Sequence, residues 1–251
     1  MIIKSTAGGP GQLPQPGDET MLVASVDVEW SKNYKIKNGN RAFCYSVAWL
    51  QLPRRKGPLD LAAIDWTFTS AYVENDAETG DLVALAATDL HRAITDADLI
   101  IGHQLSSDLA VLDANSATPL DAIAAARRAW RQRRTDKKII DTRYDAGAIL
   151  EGTSRRLVDV CTELSLDVTQ PELARKSMTA LHRDWLTSAD AQARERISVL
   201  NLRHSLSAAL VALRAARRGH WTGSLNVNRL LVKGLGETFT WTQDPAFQRL
   251  L

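Results

Sequence analysis

A mixed α/β fold is predicted by three features of the chain. Three β-rich segments come first, short apolar strands then alternate with helices, and the last third is largely helical. Residues 21–30 alternate around Val23, Val26 and Val28 and read as the first strand. "NYKIKNGNRAF" carries an Asn-Gly turn signal and leads into "AFCYSVAWLQL" (42–52), so strands one and two form a hairpin. After the Pro/Gly break at 53–58, "AIDWTFTSAYV" (63–73) reads as a third strand. Residues 79–95 have helical periodicity, with Thr79 or Asp81 as a cap. "ADLIIGH" (97–103) is a short strand, 106–115 and 120–134 are helices, and "KKIID" (137–141) is another strand. Residues 154–166, 171–187 and 189–218 read as helical, and the tail from Trp221 onward as a hairpin or a strand.

The composition is that of a soluble globular protein, with 45% hydrophobic and 24% charged residues. No apolar run reaches the roughly 18–20 residues that span a bilayer, and the first 20 residues have no apolar core of a signal peptide. That segment, rich in Gly and Pro, is expected to be a flexible lead-in. Cys44 and Cys161 lie far apart in apolar contexts, as buried thiols of a reducing compartment do. A cytoplasmic location follows as the expectation. Net charge is only +2, but residues 127–138 hold seven basic residues against one acid, with Trp130 among them. Residues 214–220 form a second basic patch. Cations interleaved with an aromatic suit a phosphate backbone and stacked bases.

The chemistry is carried by acids. Asp27 and Glu29, at i and i+2, share one face of the first strand, where each raises the cost of burying the other. A divalent cation is the usual remedy. A second D-x-E pair, Asp76 and Glu78, sits among turn-formers and reads as loop. Two further segments follow: Gly102-His103-Gln104 with Asp108 at a strand-to-helix junction, and His204 on a long amphipathic helix.

In this order the segments resemble the DnaQ-like (DEDDh) family of 3′–5′ exonucleases, which have a ribonuclease H-like fold. Asp27 and Glu29 match its D-x-E motif. Gly102-His103-Gln104 and Asp108 match G-H-N-x-x-x-D with Gln for Asn, and "IIDTRYDAG" (139–147) is similar to a segment that often follows. The resemblance covers residues 21–218, between the N-terminal segment (1–20) and a C-terminal extension (219–251). It implies a ribonuclease H-like mixed β-sheet flanked by α-helices, and hydrolysis at the 3′ end of single-stranded nucleic acid, with DNA favoured over RNA. It further implies two Mg²⁺ or Mn²⁺ ions held by Asp27, Glu29 and Asp108, with His204 as general base. Trp30, His103, Gln104, Arg127, Arg128 and Arg131 are then candidate nucleic-acid contacts; Trp30 is placed near a terminal base, while His103 also suits a role in shaping the turn. No membrane is implied, and an oligomer is compatible.

The chain departs from the pattern at one place. The family's fourth carboxylate stands five residues after the histidine, and here that residue is Ala209. The resemblance therefore leaves three readings: an inactive form of the enzyme, a catalytically degenerate nucleic-acid-binding module on the same fold, or a fourth acid supplied by the tail or a partner.

Overall fold

Alternation along one long strand decides what each face of the sheet touches. The computed structural model describes residues 1–8, 17–31, 39–54, 57–173 and 176–251. Its first strands are β1 (Ile2–Ser5), β2 (Thr20–Ser31), β3 (Arg41–Pro53), the two-residue β4 (Leu59–Asp60) and β5 (Trp66–Tyr72). Then come α1 (Thr79–Asp96), β6 (Leu99–Gly102), α2 (Leu105–Ala114), α3 (Asp121–Asp136), β7 (Ile139–Asp141), α4 (Thr142–Asp145) and α5 (Leu157–Glu163). The remainder comprises β8 (Leu166–Asp167), α6 (Met178–Ser188), α7 (Ala191–Ala215), β9 (Gly219–His220), β10 (Leu225–Asn226), α8 (Val227–Leu235) and α9 (Pro245–Gln248).

Six strands form one mixed sheet in the order β1-β5-β3-β2-β6-β7. The pairs from β1 to β2 are antiparallel, and β2–β6 and β6–β7 are parallel. On β2, Leu22, Ala24, Val26 and Val28 join a core with Leu82, Ala86 and Leu90 of α1 and Ile123 of α3. Met21 and Val23 face the other way, into a second core with Leu202, Leu206 and Leu210 of α7. Helices therefore cover both faces, as the mixed α/β expectation requires. The β2–β3 hairpin also holds, although its turn lies outside the described residues. Cys44 and Cys161 are buried free thiols. Among the described residues no helix is long and apolar enough to cross a membrane.

Two expectations are corrected. Residues 2–5 of the supposed flexible lead-in are an edge strand, with Ile2 opposite Tyr72, and the amino group of Met1 lies 2.9 Å from Glu74. The α1 start has no side-chain cap, because it continues a 3₁₀ turn that Asn75 caps by accepting from the Ala77 amide at 3.0 Å. Of the two readings of the tail, hairpin or strand, the strand holds, as β10. β9 and β10 pair in parallel with β4 and β8, and α8 packs on the sheet. Trp241 and Phe247 reach the second core, and each such buried side chain contributes about 1.5–3 kcal/mol, so the tail is integral to the fold.

Gly234 allows that packing. A Cβ there would overlap the buried Trp66 ring, whose indole nitrogen donates to the Leu230 carbonyl at 3.0 Å. Gly234→Ala should therefore destabilise the protein by about 1–3 kcal/mol in urea unfolding, although helix propensity alone favours Ala by about 1 kcal/mol.

Candidate functional site

The site forms where α7 crosses the charged end of β2. Ser25, Asp27 and Glu29 follow Met21 and Val23 on the α7 face of the strand. Ser25 Oγ donates to the Ser205 carbonyl at 2.6 Å, and the Ser46 and Ser205 hydroxyls meet at 2.7 Å. One turn back along α7, Asn201 Nδ2 donates to Asp27 Oδ2 at 2.6 Å. These pairs run α7 antiparallel to β2. His204 Nδ1 then lies 3.2 Å from Glu29 Oε1 and 3.5 Å from Asp27 Oδ2. One donor atom from each of Asp27, Glu29 and His204 falls within 4.8 Å of the others. A register shift between Glu29 and Trp30 breaks the β2–β3 ladder beside them, as bulges do near functional sites.

Asp108 arrives from the neighbouring strand. Gly102 ends β6 with Leu105 so close that a Cβ would sit 2.9 Å from it, which explains the glycine. Gln104 then takes a left-handed turn (φ 65°) into α2. Asp141 holds that turn: its Oδ1 accepts from the Gln104 amide at 2.9 Å, and its Oδ2 from the Trp130 indole at 2.8 Å. Asp108, in the first turn, is 2% exposed, and its buried Oδ2 has no hydrogen-bond partner among the described residues. Burial, then the charges of Asp27, Glu29 and Asp141, raise its pKa well above the carboxylate range. Glu29 is raised too, chiefly by burial, against the bond from His204. For His204 burial opposes the charge, but Asp27 and Glu29 outweigh it and lift its pKa to about 10.

The other sequence candidates divide. Trp30, Gln104 and Arg127 line a groove of about 550 Å³ on one side of the acids, although Arg127 is also paired with Asp113. His204, with Gln170, Thr169 and Arg156, lines a second groove of about 780 Å³. Arg128 and Arg131 are on α3, the latter exposed beside Trp130 at a smaller pocket. His103 binds the Thr142 hydroxyl at 2.9 Å, and burial lowers its pKa to about 4, so it serves the turn. Trp130 is not free for a base: it donates to Asp141 and lies under the Arg133 guanidinium at 4.2 Å. In the second basic patch, Arg214 stacks on Trp221 at 4.3 Å.

Two corrections concern α7. Ala209 does not face the site. It is 0% exposed and packs in the apolar core one turn beyond Ser205, towards Val23, so a carboxylate there would lie among Leu206, Leu210 and Val211. The residue missed was Asn201, which the i−3 spacing from His204 places on the same helix face.

No protein-family profile matches the chain, and a search of curated proteins finds no match.

Ala209→Asp should lower stability by about 3–5 kcal/mol, the scale of an uncompensated buried charge; chemical denaturation checks it. A pH dependence also follows. His204, Glu29 and Asp108 all have folded pKa values above their unfolded ones, so their contribution is full below the unfolded values and is lost as pH rises. In chelator, the melting temperature should fall between about pH 6.5 and about pH 10, the window set by the unfolded and folded values for His204, and His204→Gln should flatten that fall.

Proposed function

We propose that the protein is a metal-dependent nuclease of the DnaQ-like kind, with a ribonuclease H-like sheet, that removes nucleotides from the 3′ end of single-stranded nucleic acid, with DNA the favoured substrate. One observation carries the reading: Asp27 and Glu29 lie with His204 in one cluster, and Asp108 from α2, near enough for their charges to raise its pKa, has a buried Oδ2 with no partner among the described residues. The donor set is mostly carboxylate oxygen, which fits hard divalent cations. Asp27, Glu29 and Asp108 would hold Mg²⁺ or Mn²⁺, and two such ions would neutralise charge on the attacking and leaving oxygens of an in-line hydrolysis.

The chain's own groups supply the rest. Asn201 fixes Asp27 by its amide, and the two serine contacts set α7 at the height that brings His204 to Glu29. Trp30 presents an aromatic surface at the mouth of the groove that Gln104 and Arg127 also line, suited to stacking a terminal base. Arg128 and Arg131 extend positive charge along α3 from that groove. The second reading, a binding module without catalysis, draws support from α7, where the position expected to supply a fourth carboxylate faces the core.

The purified protein should release mononucleotides from a 5′-labelled single strand with Mn²⁺ or Mg²⁺, and Asp27→Ala should slow release by at least about a hundredfold, the scale of losing one transition-state charge stabiliser. Tight single-strand binding without hydrolysis under either metal would favour the binding module. Changing Arg127, Arg128 and Arg131 together to Ala should weaken binding and flatten the slope of log affinity against log salt by about 0.7 for each phosphate no longer neutralised. An unchanged slope would mean that those cations are only a solvated surface.

A further inference from the structure

We propose that His204 is itself a ligand of the bound ion, its Nδ1 standing where a fourth carboxylate oxygen would stand, and that the centre therefore prefers Mn²⁺ to Mg²⁺. The inference rests on the metal-dependent reading above and gives His204 a different role from the general base that the resemblance implies.

The geometry of the side chain is the first argument. The Nδ1 of histidine and the Oδ of aspartate are both bonded to Cγ, so at one backbone position they have the same reach. His204 points that atom, rather than Nε2, at the carboxylates, 3.2 Å from Glu29 Oε1 and 3.5 Å from Asp27 Oδ2. Binding an ion would release the Nδ1 proton to solvent and free its lone pair; a donor at those distances then belongs to the cluster around the ion, and Nδ1 is one of the three atoms within 4.8 Å of one another.

The second argument is the composition of the helix face. Asn201 donates its amide nitrogen to Asp27, while its buried Oδ1 has no hydrogen-bond partner among the described residues; Ser205 is bonded to Ser25 and Ser46, and residue 209 lies in the core. α7 thus offers the ion one nitrogen donor, the imidazole, beside the neutral amide oxygen of Asn201, and no carboxylate. The third argument is the far side of the ring. Nε2 lies 3.4 Å from the Gln170 side-chain amide. With that amide turned over, its oxygen accepts the Nε2–H that a ligating Nδ1 leaves on the other nitrogen, the support that metal-bound histidines usually have. A nitrogen donor is tolerated by Mn²⁺ and later metals better than by Mg²⁺, which strongly prefers oxygen.

The test uses the full chain with Mn²⁺ alone, and then with Mg²⁺ as competitor. Electron spin-echo spectra of bound Mn²⁺ should show ¹⁴N coupling that becomes ¹⁵N coupling after histidine labelling, and that persists in His103→Gln but disappears in His204→Asp. His204→Asp, which puts an oxygen at the same reach, should lower the Mn²⁺/Mg²⁺ affinity ratio at least about tenfold. A nitrogen-free Mn²⁺ spectrum of the unaltered protein overturns the inference, whether or not His204→Asp folds, and leaves the nuclease reading to the hydrolysis assay. An unchanged affinity ratio in a folded His204→Asp also overturns it. Failure of the unaltered protein to bind Mn²⁺ at all overturns both.

Discussion

Carboxylates withdrawn from water beside one another repel, and the arrangement of β2, α2 and α7 answers that repulsion. Two unit charges about 4 Å apart at an effective dielectric of about 20 cost about 4 kcal/mol. Glu29 and Asp108 therefore resist ionisation in the isolated chain, and His204 holds its proton tightly. The imidazolium is a partial remedy. It sits against Asp27 and Glu29 but is not hydrogen-bonded to the orphaned oxygen of Asp108, which stays without a partner among the described residues.

Neutral hydrogen bonds hold this charged cluster in place. Asp141 is buried and acidic like its neighbours, yet its oxygens are occupied by the Gln104 and Arg143 amides and the Trp130 indole. It works as a clamp on the left-handed turn before α2, and so on the direction in which Asp108 points. Across the sheet, the serines at 25, 46 and 205 fix the height of α7 without adding charge. The two kinds of polar residue divide the work: satisfied ones set position, and unsatisfied ones remain for a ligand.

Much of this was legible in the sequence because strand alternation is a period of two. Asp27 and Glu29 had to share a face, and the apolar runs around 97–103 and 137–141 had to be strands beside helices. Asp108 was recognisable from its distance to the Gly102 junction. What the sequence did not carry was the height of α7 on the sheet. A spacing of five residues from His204 is consistent with two flanking positions, and only the Ser25–Ser205 hydrogen bond shows that residue 209 has passed into the core. Asn201 was missed for the opposite reason, since an amide has no charge to draw notice. The role of Trp130 was hidden because its partner, Asp141, lies on another element. The strand Ile2–Ser5 was obscured by the Gly/Pro-rich residues after it.

The hydrogen bond between Asp27 and Asn201 joins positions 174 apart in sequence. Closing so long a loop is slow, and native pairings of this kind form late. On a ribosome the β2–β3 hairpin and the β6–β7 pair would emerge well before α7. Until then Asp27 and Glu29 stand at the edge of an incomplete layer, hydrated and without the imidazole. The nascent chain lacks the assembled cluster until the long helix docks.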